Sequence, residues 1–483
     1  MTAPEGPLVI GVDSSTQSTK ALVVDSATGR VVARGQAPHT VSTGEGRESD
    51  PEEWWQALKT AVGLCGRPAL EAAAVSVAGQ QHGLVTLDGT GKPVRPALLW
   101  NDVRSAPQRD RLVAELGGPK AWAERVGSVP APAFTVTKWA WLKDNEPDAA
   151  RSAAGVRLPH DFLTERLTGR ATTDRGDASG TGWWASATQS YDEEILRLAE
   201  LDHTLLPQVL EPGEAAGTVR EADGGFLTPG TLVATGTGDN MAAALGLGLR
   251  PGQPVLSLGT SGTVYAVSTR RPADPSGTVS GFADAHSGWL PLACTLNCTL
   301  AVDRMAALLS RDREDVEAGG GVTALPFLDG ERTPNLPYAT GLLAGLSHST
   351  TGGQVLQAAY DGAVFALLSA LELVLNGEPE GSRGPAGEPL LLIGGGAKGV
   401  AWRETVRRLS GRPVQVPKAQ ELVALGAAAQ AAGLLLGEDP AAVARRWNTA
   451  EGPSFDPVER DEAALARLTG LLDDADTLLN RPR

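Results

Sequence analysis

The sequence predicts an α/β protein built from two related halves, and three observations carry that prediction. At 483 residues the chain is longer than one hydrophobic core organises, so two or three domains are expected. Short apolar runs end in glycine- or hydroxyl-rich turns near residues 13–19, 259–262 and 394–399. The first two turns share one form, strand then Ser/Thr-rich turn then strand, once in each half. That weak repeat suggests two related halves facing a cleft.

Hydrophobic content of 42% and charged content of 20% are ordinary for a soluble globular protein. A net charge of -15 argues against nucleic acid or an anionic membrane surface as a partner, since either would repel the chain. Cys65, Cys294 and Cys298 are too few for a disulfide framework. Cys294 and Cys298 could share a helix face, but Leu292, Leu296 and Leu300 beside them favour buried packing. The first residues lack the pattern of a secretory signal. The most membrane-like stretch, Leu422 to Gly437, is too short for a span and reads as a buried helix. The expected compartment is the cytoplasm.

Leu8 to Val12 is an apolar run ending in Asp13, with a turn over Ser14–Thr19 and a second strand over Ala21–Val24. With Val31–Ala33 this reads as an antiparallel meander, and Asp13 could be no more than the end of a plain hairpin. Asp50-Pro51-Glu52-Glu53 is a helix start: a cap, a proline at the first position, and acids in the first turn. Trp54, Leu58, Ala61 and Val62 line one face of that helix, which Gly63 and Gly66 end. Val75–Ala78 is a strand ending in Gly79-Gln80-Gln81-His82-Gly83, and Ala97–Trp100 runs into Asn101-Asp102-Val103-Arg104. Polar groups at strand ends are what an α/β fold uses to build a pocket, although a lone histidine beside glycines is more often a turn residue.

Between Phe134 and Gly182 the pattern becomes helical. A polar loop, Thr173–Thr181, could approach a hydroxylated ligand or lie on the surface. An apolar run from Leu232 opens into Gly236-Thr237-Gly238 and delivers Asp239 to the start of a helix, Asn240 to Leu247. A Pro/Gly break at Arg250-Pro251-Gly252 separates this from the strand Val255–Leu258 and the turn Gly259-Thr260-Ser261-Gly262. Further on come a long amphipathic helix, Gln354–Ala370, an exposed loop, Gly377–Pro389, and the strand Leu390–Ile393 opening into Gly394–Gly399.

Backbone N–H groups in such turns make anion sites. No GxxxxGK(S/T) is present, so this is not a P-loop enzyme. Gly394–Gly399 matches GxGxxG, but a dinucleotide site needs an acid about 20 residues on, at the next strand end. That strand, Val414–Val416, runs into Pro417 and Lys418 instead. There is no HExxH and no GxSxG. Phosphoryl transfer remains, which needs cradled phosphates, a magnesium ligand and an aligned nucleophile. Asp13 suits the metal and Asp239 suits orienting the nucleophile, though without its surroundings Asp239 could be only a helix cap. A helix N-terminus should hold the pKa of Asp239 low.

Taken together, GVDSSTQSTK (11–20), AGQQHG (78–83), LLWNDVR (98–104), GTGDN (236–240), LSLGTSG (256–262), LPFLDGERTP (325–334) and LIGGGAKGVAW (392–402) resemble the FGGY carbohydrate kinases, in family order. Residues 341–361 resemble the family's C-terminal signature. The resemblance implies two actin-like, ribonuclease H-like ATPase domains flanking a central cleft, 1–247 and 248–483. It implies ATP and Mg2+, with Asp13 for the metal and Asp239 as general base. Gln81, His82 and Asn240 would bind sugar hydroxyls, with Trp100, Asp102 and Arg104 beside them. Thr16, Thr260 and Gly262 would meet phosphate, and Gly395, Gly396 and Ala397 the nucleotide. AGQQHG is similar to the members that convert D-xylulose to D-xylulose 5-phosphate; those acting on glycerol carry an Asn-Gln-Arg segment there. Another pentulose or polyol, or a non-catalytic actin-like regulator, are the alternatives, and a homodimer stays open. Two departures stand out: Ser15 where many members have Gly in the first phosphate turn, and Ala133 in place of a usual Gly, aromatic or Ser.

Overall fold

The computed structural model describes residues 4–42, 44–221, 225–376 and 389–481. Apart from Pro389, the loop expected at Gly377–Pro389 lies outside the described residues. The chain forms two compact units. Unit 1 comprises Met1–Leu249, Thr269–Leu290 and Ala419–Thr449; unit 2 comprises Arg250–Ser268, Pro291–Lys418 and Ala450–Arg483. The sequence places one crossing at 247/248, whereas unit 1 also takes in 269–290 and 419–449.

In unit 1, β1 (Leu8–Ser14), β2 (Ser18–Asp25) and β3 (Val31–Pro38) form the expected antiparallel meander. Helix α1 (Pro51–Leu64) follows, with the Asp50 side chain accepting from the Glu52 N–H at its start. Gly63 lies inside this helix rather than ending it. Trp54 and Trp55 are fully buried beneath the sheet; truncating such a residue typically costs about 3–5 kcal/mol. β4 (Ala74–Gly79) pairs parallel with β1. Beyond it β5 (Ala215–Thr218) and β6 (Leu232–Ala234) complete the order β5-β6-β4-β1-β2-β3, with β6 parallel to β4 and β5 antiparallel to β6. The chain then re-pairs with β4 through Thr237 and Gly238.

The helix Leu422–Leu436 explains why 419–449 belongs to unit 1. Its small residues let backbones approach closely. A Cβ on Gly11 of β1 would lie 1.8 Å from the Ala424 carbonyl, and one on Gly426 would lie 1.8 Å from the Ala242 carbonyl. Gln430 reaches from this helix to accept from the Ser76 hydroxyl (2.6 Å) and to donate to the Gly236 carbonyl (3.0 Å). The Ala/Gly richness is therefore helix-on-sheet packing.

Unit 2 repeats the pattern with β7 (Pro254–Leu258), β8 (Gly262–Ala266) and β9 (Trp289–Thr295) as an antiparallel meander. β10 (Leu390–Ile393) pairs parallel with β7, β11 (Val414–Gln415) parallel with β10, and β12 (Ser454–Phe455) antiparallel with β11. The helix Gly352–Leu375 is longer than expected and is long and apolar enough to cross a membrane, but it is mostly buried inside the fold. Cys294 and Cys298 share no helix face: Cys294 is on β9 and Cys298 precedes the helix Thr299–Leu308. Cys298 is buried as expected, whereas Leu296 and Leu300 are exposed.

Candidate active site

Strand register brings the predicted residues of unit 1 together. Asp13 and Ser14 lie opposite Ala78 and Gly79 on one side of β4, and Thr237 and Gly238 lie opposite the same two residues on the other. Asp13, the Gln80–His82 segment and Asp239 therefore emerge at the carboxyl ends of three adjacent parallel strands. That is where open α/β sheets bind ligands.

Asp13 is buried and accepts a hydrogen bond from the Ser15 hydroxyl (2.6 Å). Burial raises its pKa, opposed by that bond and by Lys20, which pairs with Glu421 at 2.6 Å. Asp239 is the first residue of the helix Asp239–Gly246, whose cap is Gly238, so it is not the N-cap. Its Oδ1 accepts from the backbone N–H (2.8 Å) and side-chain amide (3.0 Å) of Asn240. The low pKa expected at a helix start is overturned. Burial pushes the carboxyl up to about 7, and the negative charge of Asp13 adds to the rise, outweighing the Asn240 bonds.

Asn240 also donates to Gln81 Oε1 at 2.8 Å, linking the β4 end to the Asp239 helix. His82 has φ 64°, an uncommon conformation for a non-glycine residue, and its Nδ1 lies 2.7 Å from the Gly180 carbonyl. A carbonyl only accepts, so Nδ1 carries a proton in this contact. Phe134 stacks on the imidazole at 4.9 Å. Trp100 is exposed and donates from Nε1 to the Thr16 hydroxyl at 3.1 Å. Asp102 is buried and tied up: it accepts from the Arg47 N–H, the Arg104 N–H and the Arg104 guanidinium. Arg104 in turn bonds Glu48 and lies over the Trp141 ring.

The turn after β1 returns the Ser15 N–H to the Ser18 carbonyl, while the N–H groups of Thr16 and Gln17 make no backbone hydrogen bond among the described residues. In unit 2 the turn between β7 and β8 gives its Gly259 and Thr260 carbonyls to Thr299 and Leu300, and the Thr260 and Ser261 N–H groups are likewise unbonded there. Thr260 is exposed. Gly262 is required by packing, since a Cβ would meet Leu367 and Thr295 at 2.5 Å. Gly395, Gly396 and Ala397 form a 3₁₀ turn directly after β10. Beside that turn opens a cavity of about 970 Å³, lined among others by Arg313, Glu314, Lys398, Val400 and Arg408.

Family models for the FGGY family of carbohydrate kinases match the N-terminal domain over residues 8–246 and the C-terminal domain over 255–434. The chain belongs to that family. It is 73% identical over 481 residues to a xylulose kinase of Streptomyces coelicolor, covering 100% of this chain and 99% of the relative. It is 32% identical to a xylulose kinase of Escherichia coli over 442 residues, 87% of this chain and 89% of the relative. Among solved structures, a xylulose kinase from Bifidobacterium adolescentis is 36% identical with a TM-score of 0.83, over 96% of this chain and 99% of that one. The FGGY fold is thus the expected two-domain, actin-like architecture.

The segment Thr173–Thr181 is neither on the surface nor a simple loop. It comprises the strand Thr172–Asp174 and a helical turn, Arg175–Ala178, and its residues are buried. There His160 Nε2 lies 3.2 Å from Asp161 Oδ1, 3.4 Å from Asp174 Oδ1 and 3.8 Å from Asp177 Oδ2. These are not ion pairs. Burial drives the imidazole down to about 3 and so keeps it neutral, while it pushes Asp161 up to about 8 and Asp174 to about 6. Asp177 is also raised, by burial and then by its acidic neighbours. Sequence reading missed this cluster because its members are 17 residues apart at the extremes, with no motif spacing. Lys138 was likewise unmarked; burial lowers its ammonium to about 7.

Proposed function

We propose that this FGGY kinase transfers the γ-phosphoryl group of ATP to the terminal hydroxyl of D-xylulose, giving D-xylulose 5-phosphate, with Asp239 as the base. The observation that carries the reading is the meeting of Asp13, Gln81–His82 and Asp239–Asn240 at three adjacent strand ends. A raised carboxyl with part of its surface open is suited to accepting a proton near neutral pH. The hydroxyl oxygen bonds to the γ-phosphorus, the bond to the bridging oxygen of ADP breaks, and the hydroxyl proton passes to Asp239. In a loose transition state the proton leaves late, so a positioned carboxylate suffices.

Gln81, Asn240 and His82 orient the sugar hydroxyls. Trp100 is at the rim, with Asp102 and Arg104 acting as a paired unit. The unbonded N–H groups of Thr16 and Gln17 and of Thr260 and Ser261 suit phosphate oxygens, with Gly262 setting the turn, and Gly395, Gly396 and Ala397 meet the nucleotide. The neighbouring cavity is of a size for its nucleoside.

Asp13 would hold Mg2+. No cluster of three or more His, Cys, Asp or Glu side chains suited to a metal occurs among the described residues. Mg2+ does not need one, since it commonly takes one or two carboxylates with phosphates and waters. When bound, it supplies charge neutralisation at the phosphates. The same reading places the chain in the cytoplasm, where ATP is supplied, and leaves a homodimer open, which sedimentation would test.

ADP release measured across D-xylulose, D-ribulose, L-ribulose, glycerol and gluconate tests the substrate. The largest kcat/KM is expected for D-xylulose, and indifference to it sinks the substrate assignment. ADP release unaffected by any sugar would favour a regulator that binds without transferring.

A further inference from the structure

The buried segment Asp174–Gly180 touches no substrate in the reaction above, yet it grips three of the proposed site's supports. Asp174 Oδ2 accepts from the Thr237 hydroxyl at 2.7 Å and from the Gly176 N–H at 2.9 Å, while Oδ1 accepts from the Asp177 N–H at 3.0 Å. Thr237 is two residues before Asp239. The Asp177 carboxyl faces the Gln81 amide, and both crowd Gly238: a Cβ there would lie 2.7 Å from Gln81 Cγ and 3.1 Å from Asp177 Oδ1. Gln81 then accepts from Asn240, which binds Asp239. The Gly180 carbonyl takes the His82 ring.

This arrangement is a poor way to gain stability. Asp161, Asp174 and Asp177 surround one neutral imidazole in a sealed site. Both Asp177 oxygens, Gln81 Nε2 and both His160 nitrogens lack a hydrogen bond of good geometry among the described residues. Buried polar groups left so are costly, and apolar side chains of similar volume would commonly serve the fold as well or better. A cost of that kind next to a reactive carboxylate points to a role in placing it.

We propose that Asp174 and Asp177 are positioning residues for phosphoryl transfer, directing the Asp239 carboxylate through Thr237 and through Gln81–Asn240. The inference rests on the reading of Asp239 as the base. Misplacing a reacting group by about 1 Å can cost up to about 10²-fold in rate.

The test is steady-state ADP release by the full chain, with KM for D-xylulose and for ATP measured separately and thermal unfolding followed in parallel. Asp177→Ala is expected to lower kcat about 10–100-fold, leaving the ATP KM and the melting temperature near their parent values. Asp177→Asn, which keeps the shape of the side chain and its polar contact with the Gln81 amide, is expected to restore most of the loss. Thr237→Val should lower kcat in the same sense and Thr237→Ser should recover it, which keeps the test decisive if Asp177→Ala does not fold. Parent kcat in both Asp177→Ala and Thr237→Val overturns the proposal. So does a loss that tracks the fall in melting temperature and is shared equally by the conservative variants. Asp239→Asn is measured alongside: full turnover there removes the base assignment, whereas a dead Asp239→Asn with parent-like Asp177→Ala and Thr237→Val removes only the positioning role.

Discussion

The two sheets share one strand pattern and differ in what stands at the strand ends. In each, a three-stranded antiparallel meander is followed by two parallel strands and one antiparallel strand. In unit 1 the turn after the first strand is Ser15, Thr16, Gln17 and Ser18, entered from Ser14 with Asp13 one residue before it. In unit 2 it is Gly259, Thr260 and Ser261, entered from Leu258, with no acid. The next strand ends likewise contrast: Gln81 and His82 after β4, against Gly394–Ala397 after β10. One backbone plan thus carries two chemistries. Carboxylates and hydrogen-bonding side chains gather in unit 1, suited to a metal and a sugar. Bare backbone is offered in unit 2, which on the proposed reading meets the nucleotide and, with the Thr16 turn of unit 1, the phosphates.

Four experiments would break or sharpen that contrast. The largest effect is expected for Asp239→Asn, which should lose turnover by about 10²–10⁴-fold with sugar binding largely kept; ADP release and sugar titration check both halves. Equal turnover would dissolve the idea that unit 1 holds the proton chemistry.

The packing beneath the unit 1 strand ends comes next. Gly11→Ala places a Cβ 1.8 Å from one backbone oxygen and 2.5 Å from the Ala428 nitrogen, neither free to swing away. Overpacking of this kind costs about 1–3 kcal/mol or more, to be read as a lowered melting temperature. No glycine stands in Pro254–Leu258, so unit 2 has no matching weak point at its first strand.

Opposite pH trends for activity and stability follow from the raised carboxyls. Asp239 must be ionised to accept a proton, so kcat/KM should rise with pH up to about 7 and level off, about tenfold per unit on the acid limb. For stability the sign reverses. Asp161, Asp174 and Asp239 bind protons more tightly folded than unfolded, so the stability they lend is full below about pH 4. It is lost as pH rises through their folded values of about 8, 6 and 7. Melting curves between pH 4 and 8 would check this, and a flat profile would mean the cluster is solvated.

The smallest effect is expected in unit 2. Thr260→Val should raise the ATP KM by about 2–10-fold, the worth of one hydrogen bond, with the sugar KM unchanged. A changed sugar KM instead would blur the division between the units.

Much of this was legible in sequence because it is local. Asp50-Pro51-Glu52 sets a helix start by its own backbone chemistry, and apolar runs ending in Gly/Ser/Thr turns set the strands. Ordered motifs then place Asp13, Gln81 and Asp239 together before any register is known. The sequence by itself determined those elements, the strand–turn–strand repeat and the family.

Tertiary structure alone decided the rest, because burial and distance are not properties of a segment. Asp239 sits at a helix start, which favours its charge, yet enclosure beside Asp13 overrides that local term. The helix Leu422–Leu436 lies in unit 1 because Gly11 and Gly426 admit backbone contact, which its alanines and glycines do not announce. His160, Asp161, Asp174 and Asp177 look like scattered surface residues until the fold seals them around one imidazole. In each case long-range desolvation and packing outweighed what the neighbouring residues would set on their own.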